Sequence, residues 1–216
     1  MGGPPTSLAS IPFRVPAPGA YQYHERVQPQ SGDPSERTVR YEVSTVKRRP
    51  GVIRWDEADP TTGTVGKTGD HFEEVHDRDG LFLLASILAG TDECRWSPRS
   101  VLLPRTVIEG GEIETTSTCT VPIQNKLTQL TLRTKLAFLR THDITVAGAT
   151  RPAIDVSRLR VLSGESDGAF TVTSQAVDTF AFDLGVRVRT EDHSSNKRAG
   201  KPAAESTRIL TLTSAP

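Results

Sequence analysis

Residues 127–140 alternate: Leu130, Leu132, Leu136 and Phe138 fall on one side of an extended chain with Thr134 among them, and Thr131, Arg133, Lys135 and Ala137 fall on the other. Successive side chains of a β-strand point to opposite faces, so this window makes a strand with one buried and one solvated row. At the helical period of about 3.6 the same residues would scatter around the axis. The alternation recurs at Val39, Tyr41 and Val43, at Ile144 and Val146, at Phe170 and Val172, and at Phe180 and Phe182. It recurs again at Val186 and Val188 between arginines, and at Leu210 and Leu212 between threonines. These rows are β-branched or aromatic far more often than helix-favouring.

Turn chemistry separates the windows: Arg49-Pro50-Gly51, Asp59-Pro60, Asp79-Gly80, Gly110-Gly111, Asp167-Gly168 and Asp183-Leu184-Gly185. Turns roughly ten to twenty residues apart suit antiparallel hairpins. The pattern therefore predicts an all-β chain with few or no helices. Residues 80–90 satisfy both periods; flanking glycines and the lack of an N-cap favour a buried strand. Residues 192–206 show no apolar period and read as a long exposed hairpin loop. No internal repeat or break in composition divides the chain, so residues 20–216 are expected to form a single antiparallel β domain. Residues 1–19 precede it as a flexible, Pro-rich segment with five prolines from Pro4 to Pro18. Prolines remove backbone donors and favour an extended tether.

Charge excludes some partners. Lys plus Arg and Asp plus Glu are 26 each, so no basic field favours nucleic acid or an anionic membrane. Twenty of the basic residues are arginine, a bias that coding preference explains as well as anion recognition does. The longest apolar run, residues 81–89 with one serine inside, is half the roughly 18 residues that span a bilayer, so no integral membrane segment is expected. The start has no charged and apolar leader; an envelope location would need a signal or anchor outside this chain, and a cytoplasmic one stays open.

Cys94 and Cys119 allow three readings: a disulfide, free buried thiols or a nucleophile. No histidine lies within 15 residues of either in sequence, and the paired spacing of a zinc site is absent. Both fall in strand-like segments, Cys94 beside Trp96 and Cys119 in a Thr-rich run, which favours a disulfide worth roughly 3 kcal/mol.

The densest set of reactive side chains, residues 70–79, holds His71, Glu73, Glu74, His76, Asp77 and Asp79. On a strand, His71, Glu73, Val75 and Asp77 share one face, and Phe72, Glu74 and His76 the other. The two histidines point apart and lack the spacing of four in the helical zinc motif, so solvated strand and turn residues are expected. Asp178 and Asp183 could be a glycosidase pair, but five apart on a strand they face opposite sides, and Asp183 reads as a turn cap before Gly185. No nucleophile elbow, phosphate loop or N-glycosylation site is present. No catalytic residue, metal ligand or cofactor is assigned.

The order ECRWSPRSVLLPRTVIEGGEIETTSTCT, HDITVAGATRPAIDVSRLRVLSGES, DTFAFDLGVRVRTEDHSS and RILTLTSAP resembles cell-envelope and lipoprotein-type β-rich domains without an assigned activity. The resemblance covers residues 21–216, most specifically 94–190. It implies a single curved antiparallel sheet, a half-barrel or open barrel similar in style to the LolA and LppX carriers of lipid or lipoprotein. The chain departs from those carriers in having no amphipathic helix to plug the mouth. The expected function is a non-enzymatic extracytoplasmic envelope domain, extracellular or at the cell surface, with a binding or structural role and an envelope protein as one possible partner. The alternative is a carrier of a lipid or other apolar ligand in the concave face, and a hydrolase is a distant third. An apolar cavity of several hundred Å³ would favour the carrier, and a filled concave face the structural domain.

Overall fold

The computed structural model describes residues 7–8, 13–59, 62, 71–87, 93–105, 107–108, 110–123, 126–165 and 168–216. Its strands in chain order are β1 (Ser7–Leu8), β2 (Gly19–Pro29), β3 (Ser35–Thr45), β4 (Val52–Glu57), β5 (His71–Asp77), β6 (Gly80–Ile87) and β7 (Glu93–Pro104). They continue as β8 (Val107–Ile108), β9 (Glu112–Ile123), β10 (Lys126–Val146), β11 (Ala149–Glu165), β12 (Ala169–Ala181), β13 (Val186–Arg198) and β14 (Ala204–Ser214). β1 pairs with β8. The remaining strands form one closed barrel in the order β10, β11, β12, β13, β14, β2, β3, β4, β5, β6, β7, β9, every pair antiparallel.

The all-β, antiparallel expectation holds, and the curvature goes further than an open sheet. The closing seam is thin: among the described residues β7 and β9 share one register pair, Ser97 with Thr118, whereas β9 ladders along its whole length with β10. Thr118 Oγ1 also donates to the Ser97 carbonyl at 3.2 Å. Cys94 on β7 and Cys119 on β9 are linked across this seam, their Cα atoms 5.7 Å apart.

The long strands follow the expected alternation. Along β10, Leu130, Leu132, Leu136 and Phe138 are buried while Arg133 and Lys135 face water. Of the large hydrophobics among the described residues, Val15, Leu127, Leu139 and Val177 are exposed; the outer rows otherwise carry ion pairs such as Arg40–Glu42, Arg54–Asp56 and Lys135–Glu112. A membrane barrel puts its apolar row outward. This barrel has the opposite arrangement. No helix among the described residues is long and apolar enough to cross a membrane.

Residues 80–87 form a strand as the flanking glycines suggested, and 88–90 lie outside the described residues. The expected long loop at 192–206 is instead mostly strand. β13 and β14 stay paired from Asp192–Arg208 out to Asn196–Ala204. Both faces there are polar, with cross-strand contacts such as Ser194 Oγ to Ser206 Oγ at 2.9 Å, so the pairing leaves no apolar period to read.

One end of the barrel is covered by the segment just before β2. The Arg14 N–H donates to the Phe182 carbonyl at 3.1 Å, and Pro16 is buried. The Phe13 ring stacks on His76 at 5.9 Å and meets Phe180 edge-on at 6.0 Å. Gly185 makes this passage possible: its φ of +69° suits glycine, and a methyl there would run into the Arg14 carbonyl. Of the Pro-rich segment, residues 1–6 and 9–12 lie outside the described residues.

Candidate functional site

The inward rows carry charge as well as hydrocarbon. On β11 the period of two places Arg158 and Arg160 in the row of Val156 and Leu162. On β12 it places Asp178 with Phe180, and Ser174 with Val172. Arg187 reaches the interior through a bulge. Thr179 pairs with Arg189 and Phe180 with Arg187, which leaves Val188 unpaired and turns its neighbour inward, where alternation had placed Arg187 in water.

These rows border two adjacent cavities of about 540 Å³ and about 340 Å³, sharing Phe72, Glu74, Ser86, Arg187, Arg208 and Leu210 in their walls. Val27, Ile87 and His71, near strand ends remote from Phe13, help to line the larger one. The larger cavity therefore runs from Phe180, beside the Phe13 plug, toward the opposite end. An aromatic cluster walls one side: Trp55 stacks on Phe72 at 5.6 Å, and Tyr41 meets both edge-on at 6.1 Å and 6.0 Å.

Two ion clusters organise the charge. Asp178, 2% exposed, accepts from Arg158 Nε at 2.5 Å, Arg187 Nη1 at 3.4 Å and Thr190 Oγ1 at 2.8 Å. Burial alone would push its carboxyl up, but Arg158 and Arg187 outweigh that and hold it well below the usual carboxylate range. Glu25, 4% exposed, accepts from Arg37 and Arg208. Burial raises its carboxyl as well, and these two guanidiniums bring it below its ordinary value.

Glu74 is different. Its carboxylate accepts from Trp55 Nε1 at 3.0 Å inside the cavity wall. Burial pushes its carboxyl up to about 7, against the pull of Arg187, Trp55 and Arg160. His76, on the same row, is half-buried behind Phe13, and its burial pushes the imidazole down to about 4.

The face assignment for β5 holds from Phe72 to His76, since Phe72 and Glu74 line the cavities and His76 meets the plug, but His71, assigned to the other face, also lines the larger cavity. The solvated character expected of this cluster does not hold. Glu74 is 7% exposed, and Glu73, on the outer face, is 3% exposed beneath Arg49 and Arg95. Asp70 lies outside the described residues. His71 Nε2 is 2.9 Å from Glu93 Oε2 at the cavity rim. Among the described residues no three His, Cys, Asp or Glu side chains converge as metal ligands. Asp178 and Asp183 are not a catalytic pair: Asp178 is clamped by arginines, and Asp183 sits in the turn after β12 paired with Arg151. That pairing also replaces the turn cap expected of Asp183, because the turn closes on its own Gly185 N–H to Ala181 O bond at 3.0 Å.

The residues that sequence reasoning passed over are Arg158, Arg160, Arg187 and Arg208. A signal existed for the first two, since charges within an apolar period-two row mark a polar interior.

The architecture is thus a closed antiparallel barrel with a hollow, charged lumen and a polar outer face. No family model matches the chain, and no curated protein matches it. Among solved structures it is similar to a proposed lipoprotein from Parabacteroides distasonis, at 12% identity and a TM-score of 0.47, over 96% of this chain and 99% of that one. It is also similar to the hypothetical lipoprotein YmcC from Escherichia coli, at 8% identity and a TM-score of 0.44, over 94% of this chain and 90% of that one. A third is a proposed exported protein with a YmcC-like fold from Bacteroides fragilis, at 10% identity and a TM-score of 0.38, over 96% of this chain and 100% of that one.

Proposed function

We propose that this barrel is a non-enzymatic binding protein of the cell envelope whose lumen holds a small amphipathic molecule. One observation carries the reading: the interior is hollow, with adjacent cavities of about 540 Å³ and about 340 Å³ walled by aromatic and aliphatic side chains and a few placed charges. Ligand sites of roughly 300–1,000 Å³ have this mixed lining. Protein interiors are otherwise close-packed, with few voids larger than a water molecule.

The envelope location is supported by the Cys94–Cys119 link, since disulfides persist in oxidising compartments. The Pro-rich segment before β2 would serve as the connection to an anchor. Native mass spectrometry of the protein purified from its own envelope tests the function. A released non-covalent adduct in the lipid mass range is expected, and protein repeatedly recovered at the bare chain mass would favour the structural role.

A further inference from the structure

Arg160 is the one member of the lumenal arginine group left without a hydrogen bond among the described residues: its Nε and Nη2 are shut off from water with no acceptor in reach. Arg158 is held by Asp178, by Ser174 at 3.1 Å and by Asp192 at 3.6 Å. Arg187 shares Asp178, and Arg208 is held by Glu25. The cross-strand neighbours of Arg160 are Thr134 and Ser174. Both are engaged elsewhere, Thr134 with Ser100 at 3.1 Å and Ser174 with Asp192 at 2.9 Å. Glu74 faces the same space, but its carboxylate is bonded to Trp55 and its burial favours the neutral form.

A buried guanidinium left unpaired is costly, and native proteins supply such groups with a partner. Arg160 lines the smaller cavity, whose walls combine that charged group with the aliphatic and aromatic side chains of Leu83, Trp96, Leu102, Leu132, Leu162 and Val172. Arg158 and Arg187 take Asp178 between them and Arg158 also meets Asp192, so neither carboxylate is left to Arg160 and its charge is open to an anion.

We infer that Arg160 receives the carboxylate of a single aliphatic chain, a fatty acid, whose tail lies along Leu83, Trp96, Leu102, Leu132, Leu162 and Val172. The inference rests on the lumen being a binding cavity and adds the ligand class and the residue that selects it.

The test is calorimetric titration of the full chain with dodecanoate and with dodecanol, which share a tail and differ in charge, using wild type, Arg160→Met and Arg160→Lys. Wild type binds dodecanoate more tightly than dodecanol. Arg160→Met loses about tenfold or more of its dodecanoate affinity, as expected for a charge-assisted bond, with dodecanol unchanged. Arg160→Lys keeps part of the preference for the acid. The ligand-free Met variant melts no lower than wild type, because an unpaired buried charge has been removed. If both ligands bind wild type equally and Arg160→Met changes neither, the headgroup assignment falls while the cavity reading stands. If neither binds wild type, both fall. If Arg160→Met unfolds or melts well below wild type while Arg160→Lys shows no preference for the acid, Arg160 is a structural residue and the assignment is wrong.

Discussion

Glu74 sits where ionisation is least favoured, inside the lumen wall with one hydrogen bond from Trp55. Its folded value of about 7 lies above the ordinary 4.5, so the folded protein holds that proton where the unfolded chain has released it. The stability from this group is fully present below about 4.5 and is lost as pH rises through about 7. Thermal melts of wild type and Glu74→Gln from pH 5 to 8 should therefore differ in slope. The wild-type midpoint carries an alkaline-side decline that the Gln variant lacks, and parallel curves would count against a protonated Glu74. His76 has the opposite sign: its stability is present above 6.5 and is lost as pH falls through about 4. Asp178 is a third case, a buried carboxylate that two arginines keep ionised. Asp178→Ala removes the carboxylate that Arg187 pairs with and leaves Arg158 only Asp192 and Ser174, and should cost about 3–5 kcal/mol by denaturant unfolding; a loss under 1 kcal/mol would mean that the cluster relaxes into water. These residues were hard to read from sequence because charge in an alternating strand normally marks the wet face. Arg187 follows that rule locally and breaks it only because a bulge at the unpaired Val188 turns it inward.

Among the elements, the β7–β9 seam and the segment before β2 are the least constrained by backbone pairing. The seam has one register pair and one covalent link, and that link closes a separation of 25 residues. Replacing both cysteines by serine should cost roughly 3 kcal/mol through the unfolded chain. It should also raise amide exchange in β7 and β9 before β11 and β12; uniform change across the barrel would show that the seam holds without the link. A thiol count on the unreduced protein should find none, and two free thiols would remove the bridge. At the other weak element, Gly185→Ala puts a methyl against the Arg14 carbonyl in a left-handed backbone. The expected result is faster amide exchange at Arg14 and a lower melting temperature, whereas unchanged exchange would mean that the segment is anchored by Phe13 alone. The strands themselves were legible, since β10 keeps the period of two along most of its length. The outer parts of β13 and β14 were not, because paired strands with water on both faces have no apolar row.

At the scale of the whole molecule, alternation gave an antiparallel sheet but could not give its closure. Closure depends on β7 meeting β9 across an intervening short strand and turn, and a period of two says nothing about which strand lies beside which. The hollow was equally illegible, because Leu132, Leu162 and Val172 look the same in sequence whether they meet each other or a ligand. Both tryptophans of the chain now stand as reporters of that space, Trp55 on the larger cavity and Trp96 on the smaller. The central claim, that the lumen takes up an aliphatic chain, is tested most directly by titrating the protein with a fatty acid brominated along its tail and following tryptophan fluorescence, since bromine quenches only at contact. Saturable quenching of Trp96, which lines the smaller cavity, is expected, kept in the Trp55→Phe variant, lost in Trp96→Phe and reversed by unbrominated dodecanoate; Trp96 emission unchanged up to the solubility limit of the acid would contradict uptake.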